Sequence, residues 1–210
     1  MSLIDALCQA AEQALHTLYP DPTNAQPWPL DASQSQPTLN TKERIKSGRL
    51  MRINHVGEIA AQALYYGQAL ATTNDPNLKA ALIEKAQEEK EHLDWCRQRL
   101  NQLNASVSKL NLFWYSGAFI MGVCAGISGK KWGLGFVEET EKQVESHLED
   151  QLKQLPEQDT ISRTIVKQMC EDEQTHAQWA HDEGAARLPD WLKTTMSLTA
   201  QCMKKMAYWI

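Results

Sequence analysis

The sequence lacks the cysteine patterns that mark disulfide-rich and zinc-binding proteins. Its five cysteines are odd in number, widely scattered and never arranged as C-x-x-C, so we expect reduced thiols and no disulfide framework. Basic residues are not in excess either, since the formal net charge is -5, which argues against a general nucleic-acid-binding protein. The first residues alternate apolar and polar side chains and include acidic ones, so we expect no secretory signal.

Strand-like alternation and nucleotide-binding fingerprints are also missing. No G-x-G-x-x-G motif opens a helix, so the sequence does not indicate the source of electrons for any redox chemistry. Residues 112–128 carry no charge over 17 residues, at the short edge of the roughly 20 that a spanning helix needs. We therefore expect no transmembrane helix.

The chain divides into an arm, a linker and one domain. Residues 1–18 have apolar side chains at helical spacing, which predicts an amphipathic helix. Residues 19–41 contain five prolines among Asn, Ser and Gln, which predicts a linker. Residues 42–210 are expected to form the domain, with an apolar, glycine-rich crossover at 104–135 and a C-terminal helix at 190–210.

Four long helices are predicted within the domain. They are expected at residues 42–71, 76–103, 135–155 and 159–187. The segment Asn74-Asp75-Pro76 marks one helix start, because proline is favoured at the first helical position. Two helical pairs joined by one long crossover resemble a ferritin-like bundle. We therefore predict an all-α, ferritin-like four-helix bundle with additional hydrophobic and amphipathic helices.

Acidic and histidine side chains interrupt the inward faces of these helices. Glu89, Glu141 and Glu173 stand at apolar seam positions, and Glu58 lies on a polar face of the first long helix. Buried carboxylates are costly without partners, and no Lys or Arg lies on the same seams. Two divalent cations would neutralise four carboxylates, which indicates a dinuclear metal site.

The spacing of the polar residues indicates two similar half-sites. Two E-x-x-H pairs occur, and each follows a single glutamate by 31 or 32 residues. The predicted metal ligands are Glu58, Glu89, His92, Glu141, Glu173 and His176. Carboxylate-rich sites with one imidazole per metal suit iron or manganese better than zinc. No further catalytic residue is predicted.

Several neighbouring residues have less decisive patterns. The runs EEKEH and EETE leave the register uncertain by one or two residues, and the seams favour Glu89 and Glu141. Residues expected on solvated faces, or paired with Lys or Arg, are Glu88, Glu91, Glu138, Glu139 and Asp172. Histidines expected at the surface are His16 and His181. His55 and His147 are interpreted either as groups that support the metal ligands or as ordinary hydrogen-bonded histidines.

The apolar crossover allows two interpretations. It forms either a buried helix packed on the bundle or a hydrophobic surface that enters one membrane leaflet and admits an apolar substrate. The C-terminal segment LTAQCMKKMAYWI combines aromatic residues with two lysines, as interfacial membrane anchors do.

Four segments resemble the demethoxyubiquinone hydroxylase family of ubiquinone biosynthesis in its bacterial form. They are RINHVGEIAAQALYYGQAL, EEKEHLDWC, GFVEETEKQVESHL and EDEQTHA, and the similarity runs from about residue 43 to the C-terminus. In this resemblance the six predicted ligands match the family ligands, and His147 falls on a family histidine.

The resemblance implies a function and its surroundings. Two iron ions would use O₂ to hydroxylate the ring of a polyprenyl demethoxy-ubiquinol, at the cytoplasmic face of the cell membrane and alongside other quinone-synthesis enzymes. No nucleic-acid partner is expected. The alternatives are another di-iron bundle, such as a tRNA-modifying hydroxylase, and an iron- or quinone-binding protein without catalysis.

Overall fold

The computed structural model describes residues 3–20 and 38–210, and this part of the chain is helical without strands, which confirms the all-α prediction. Most of the predicted linker, residues 21–37, lies outside the described residues. The helices are α1 (Leu3–Leu18), α2 (Thr41–Ala71), α3 (Pro76–Gln102), α4 (Asn111–Ile127), α5 (Lys130–Gln154), α6 (Thr160–Asp182) and α7 (Asp190–Ala207).

Side chains at the helix starts satisfy backbone N–H groups that have no partner within the helix. Asn40 and Glu43 form a capping box at α2, in which Asn40 Oδ1 accepts from the Glu43 amide at 3.0 Å. Asp75 accepts from the Leu78 amide at 3.0 Å just before Pro76 opens α3. Asp159 caps α6 in the same way. These caps fix where three of the four bundle helices begin.

The four-helix bundle consists of the pair α2 and α3 and the pair α5 and α6, joined through α4. One apolar layer contains Met51, Trp95, Leu148 and Met169, among others. A second layer contains Leu64, Leu82, Leu134, Val137 and Ala180, among others. On every bundle helix, the predicted metal ligands lie between residues of these two layers. Apolar packing therefore encloses the polar centre from both ends of the bundle.

Helix α4 packs lengthwise against α2 through small residues. A Cβ atom on Gly122 would lie 2.2 Å from the Leu64 carbonyl oxygen, and one on Gly67 would lie 2.3 Å from the Phe119 carbonyl oxygen. Both positions therefore require glycine for this close approach. The opposite face of α4 is exposed, with Phe113 64% and Ile127 73% accessible. The crossover thus combines a buried face with an exposed apolar face.

Two predicted helix boundaries are wrong. Helix α5 begins at Lys130, five residues before the predicted start, directly after Gly129 with φ +93°. Helix α6 ends at Asp182, five residues before the predicted end, and Gly184 follows with φ +94°. Glycine adopts this left-handed conformation without strain, which explains both boundaries.

Helix α1 lies against α2 and α4. Ala14 and Leu18 pack on a cluster that includes Ile59 and Tyr115. The hydroxyl of Thr17 donates a 2.8 Å hydrogen bond to Oε1 of the buried Gln62 on α2. Among the described residues, no helix is both long enough and apolar enough to cross a membrane.

Candidate metal centre

The six predicted ligands converge in the middle of the bundle. Helix α2 supplies one glutamate, α5 supplies one, and α3 and α6 each supply a glutamate and a histidine. Each side chain belongs to a residue that is at most 3% exposed. In order along the chain they are Glu58, Glu89, His92, Glu141, Glu173 and His176.

The side chains form two overlapping groups of possible ligands. One group contains Glu58, Glu89, His92 and Glu173, and the other contains Glu89, Glu141, Glu173 and His176. Within each group, one ligand atom per residue lies within 4.8 Å of all the others. Because Glu89 and Glu173 belong to both groups, the cluster is suited to two adjacent metal ions that share these carboxylates.

The two shared carboxylates each direct one oxygen towards each histidine. Glu89 Oε2 lies 3.3 Å from His92 Nδ1, and Glu89 Oε1 lies 2.9 Å from His176 Nδ1. Glu173 Oε1 lies 3.5 Å from His92 Nδ1, and its Oε2 lies 3.3 Å from His176 Nδ1. Glu58 Oε2 completes the first group at 3.7 Å from His92 Nδ1. This arrangement allows each shared carboxylate to bridge two ions.

Unpartnered buried atoms test whether these residues fit a pair of metal ions. Although the atoms are close together, six of them form no hydrogen bond within the described part of the chain. These atoms are both carboxylate oxygens of Glu89, Oε2 of Glu141, Oε2 of Glu173, and Nδ1 of His92 and of His176. Leaving buried polar atoms unsatisfied is costly, and divalent cations would satisfy all six. The residues therefore fit a dinuclear metal site.

Each histidine of the cluster also contacts a carboxylate through Nε2, the ring nitrogen on the side away from the other ligands. His92 Nε2 is 3.1 Å from Asp172 Oδ2, and His176 Nε2 is 2.7 Å from Glu88 Oε2. A hydrogen bond donated by Nε2–H leaves the Nδ1 lone pair free for a metal ion and fixes the orientation of the ring.

The assignment of Asp172 and Glu88 to solvated faces or basic partners was incomplete, because both side chains are partly exposed but also contact the histidines. Glu88 does bind Lys85 at 2.7 Å, but the same Oε2 atom also contacts His176. The sequence contained a usable signal, because an acidic residue directly precedes both E-x-x-H pairs.

The charges in the cluster show how it behaves without metal. Burial raises the pKa of Glu58 and of Glu141 well above the ordinary value, and neighbouring carboxylates raise it further. Burial opposes protonation of His176, but Glu173, Glu88 and Glu89 raise its pKa to about 12. The surrounding carboxylates likewise raise the pKa of His92 against the effect of burial. These directions favour protonation of Glu58 and Glu141 and of both imidazoles, which lowers the net negative charge of the cluster.

Tyr65 is a polar contact of the cluster that sequence reasoning left without a role. Its hydroxyl, fully buried on α2, donates a 2.6 Å hydrogen bond to Oε1 of Glu141. Burial and the nearby carboxylates raise the pKa of Tyr65 well above its usual range. The tyrosine stands two helical turns after Glu58 on the same face, which is the only sequence signal for it.

The remaining histidines do not form hydrogen bonds with the cluster. Both ring nitrogens of the buried His55 are unpartnered among the described residues, and burial and Arg97 lower its pKa to about 3. Burial and Lys204 lower the pKa of His147 to about 4. His16 and His181 are exposed, as predicted.

The other acidic neighbours agree with their predicted roles. Glu138 contacts Lys142, Glu139 binds Lys193 at 2.7 Å, and Glu91 is exposed.

The similarity of this chain to known proteins extends over the whole four-helix bundle. The family model described as "Ubiquinone biosynthesis protein COQ7" matches residues 45–207. Among curated proteins, the chain is 48% identical over 209 residues to the 3-demethoxyubiquinol 3-hydroxylase of Variovorax paradoxus, covering 99% of this chain and 98% of that protein. It is 46% identical over 208 residues to the enzyme of the same name from Laribacter hongkongensis, covering 99% of this chain and 100% of that protein. It is 43% identical over 210 residues to the one from Nitrosococcus oceani, covering 100% and 98%. This chain therefore belongs to the COQ7 family of ubiquinone biosynthesis proteins.

Proposed function

We propose that this chain is a 3-demethoxyubiquinol 3-hydroxylase, an oxidoreductase that hydroxylates a quinol ring with O₂. The observation that carries the proposal is the pair of buried ligand groups that share Glu89 and Glu173. Near-complete coverage of curated hydroxylases at 43–48% identity supports the same activity.

The proposed cofactor is a pair of iron ions. One would be held by Glu58 and His92, the other by Glu141 and His176, with the two central carboxylates shared between them. Each ion would have three carboxylates, two of them shared, and one imidazole, an oxygen-rich ligand set that suits iron or manganese. When bound, the two ions would supply the redox chemistry by which O₂ is activated.

The protein's own residues would orient the ions and keep the site dry. Asp172 and Glu88 hold the two imidazoles with Nδ1 directed inwards, and the apolar layers on both sides exclude water. In the net reaction, one oxygen atom enters a ring C–H bond and the other becomes water, which consumes two electrons and two protons. No side chain need act as a nucleophile, since the cofactor supplies the oxidising chemistry.

Exposed apolar side chains support peripheral attachment to a membrane, and the proposed location is the cytoplasmic face of the cell membrane. A peripheral protein there could take its polyprenyl quinol from one leaflet and work beside other ubiquinone-synthesis enzymes. Lys204 and Lys205 near the exposed aromatic residues would favour anionic lipids. The exposed side chains are Leu112, Phe113, Ile120 and Ile127 of α4, Trp132 of α5, and Trp191, Leu198 and Trp209 near the C-terminus.

A substrate comparison tests the proposed activity. The purified protein, reconstituted with ferrous iron under anaerobic conditions, is supplied with O₂, a chemical reductant and either a short-tailed demethoxyquinol or hypomodified tRNA. We expect hydroxylation of the quinol alone, and loss of that activity in Glu173→Ala. Hydroxylation of tRNA alone would instead indicate the tRNA-modifying alternative. Iron uptake into a large cage without turnover would indicate a storage protein.

A further inference from the structure

The two ligand groups are related by an internal repeat of the chain. Glu58 on α2 corresponds to Glu141 on α5, 83 residues later. Glu89 and His92 on α3 correspond to Glu173 and His176 on α6, 84 residues later. The repeat extends beyond the ligands, because the outer carboxylates Glu88 and Asp172 follow the same offset.

The repeat is broken at Tyr65. The residue 83 positions after Tyr65 is Leu148, which is also buried at 1% exposure but has no polar atom in its side chain. Three residues after Tyr65 and three after Leu148, the two halves match again, because both have a buried glutamine, Gln68 and Gln151. Tyr65 donates its 2.6 Å hydrogen bond across the bundle to Glu141, whereas Leu148 cannot donate one to Glu58.

The hydrogen bond makes the surroundings of Glu141 differ from those of Glu58, the two glutamates that each belong to one ligand group only. Oε1 of Glu141 is occupied by the tyrosine hydroxyl, while Oε2 is buried without a partner and free to bind a metal ion. For Glu58, the contact within the cluster is His92 Nδ1 at 3.7 Å, with no hydroxyl at the corresponding position. A carboxylate held in one orientation loses less conformational freedom when it binds an ion.

We propose that Tyr65 is a positioning residue that makes the two metal positions unequal by holding Glu141 with a single oxygen directed to the metal. The position formed with Glu141 and His176 is then the tighter of the two. The inference rests on the proposed function only in that the cluster must bind two metal ions. Tyr65 acts through Glu141 and does not itself contact the metal or the reacting ring.

Metal titration of the metal-free protein tests this proposal without measuring turnover. Mn²⁺ is titrated by calorimetry into the wild type, Tyr65→Phe and the control Tyr66→Phe, which removes a neighbouring hydroxyl from a half-buried ring. We expect two binding events of different affinity in the wild type. Tyr65→Phe should weaken the tighter event by roughly tenfold to a hundredfold, as loss of an outer hydrogen bond to a ligand does, and leave the other nearly unchanged.

A double-mutant cycle shows whether Tyr65 acts through Glu141. Tyr65→Phe should have no further effect when Glu141 is already Ala, and should keep its effect when Glu58 is already Ala. An effect that persists in Glu141→Ala would overturn the proposal. So would an equal weakening of both events in Tyr65→Phe, or the same loss in Tyr66→Phe.

A reverse variant keeps the test decisive if Tyr65→Phe does not fold, which circular dichroism would reveal. Leu148→Gln places a donor of a size similar to leucine at the position that corresponds to Tyr65 in the repeat, and it should tighten the weaker event and narrow the difference in affinity. An unchanged or wider difference would count against the proposal. A single event with two ions per chain would overturn the inequality of the two positions, whereas fewer than two bound ions per chain would overturn the dinuclear site and, with it, the proposed function.

Discussion

The pair α2 and α3 and the pair α5 and α6 supply the same ligand types at nearly the same spacing, but they surround them differently. Helix α2 is covered by α1 and α4, and it sends a tyrosine hydroxyl across to the other pair. Helix α5 has a leucine at the corresponding position. We expect the repeated ligands to set how many ions the cluster can hold, and the unequal surroundings to set the properties of each position.

Of the changes considered, removing a shared ligand should have the largest effect on metal binding and activity. Glu173→Ala deletes a carboxylate that belongs to both ligand groups, so we expect loss of both metal ions and activity at background level. Metal analysis and the quinol assay measure the two effects. The control Glu171→Ala removes an exposed carboxylate two residues earlier and should retain both. A Glu173→Ala protein that kept two ions would show that the carboxylate is not shared.

The two ends of the bundle should differ in stability. At one end, Arg99 of α3 binds the fully buried Asp159 at 2.7 Å and Ser162 at 2.9 Å. At the other end, Lys130 and Glu183 form a 2.9 Å pair that is more than 40% exposed.

Asp159→Ala should lower the free energy of unfolding by about 3–5 kcal/mol, because it removes the counter-charge of a buried guanidinium and the cap of α6. Glu183→Ala should lower it by less than about 1 kcal/mol, since water screens the exposed pair. Urea denaturation followed by circular dichroism measures both values. Equal losses in the two variants would contradict the difference in burial.

Each outer carboxylate should affect the metal affinity of only one ligand group, through the histidine that it contacts. Glu88→Gln weakens the support of His176, and Asp172→Asn weakens that of His92, so each should reduce metal affinity by roughly tenfold to a hundredfold. Because both carboxylates are partly exposed, we expect values near the lower limit. Mn²⁺ calorimetry should show a different binding event affected in each variant. If both variants weakened the same event, the pairing of outer carboxylates with ligand groups would be wrong.

Metal affinity should rise with pH at both positions. In the metal-free cluster, neighbouring carboxylates raise the pKa of His176 to about 12, so its imidazole carries a proton throughout pH 6–8. A metal ion must displace this proton, and raising the pH makes the displacement easier. Each proton released corresponds to about a tenfold rise in affinity per pH unit. Titrations with Mn²⁺ at pH 6, 7 and 8 measure the slope, and a flat profile would refute proton displacement.

Much of the fold follows from local signals in the sequence. The caps at Asn40, Asp75 and Asp159 bind backbone amides within three residues, so the helix starts they fix are visible in the chain itself. The end of α6 was misplaced because Ala185, Ala186 and Arg187 favour helix, whereas the backbone turns at Gly184. There the Ala186 amide donates to the Lys131 carbonyl oxygen at 2.8 Å, a tertiary contact that local propensity does not report.

The convergence of the site could be anticipated because carboxylates on apolar seams are rare and need partners. Its finer contacts could not, since they join residues that are far apart in the chain. Tyr65 reaches Glu141 over 76 residues, and His92 reaches Asp172 over 80 residues. Such contacts depend on the rotation of each helix about its axis, which the apolar pattern defines only approximately.

The most direct test of the dinuclear iron site is metal analysis of protein purified without added metal and then reconstituted with ferrous iron under anaerobic conditions. We expect about two iron ions per chain in the wild type, falling sharply in Glu89→Ala and in His176→Ala. Retention of zinc instead of iron, or no bound metal after reconstitution, would contradict it.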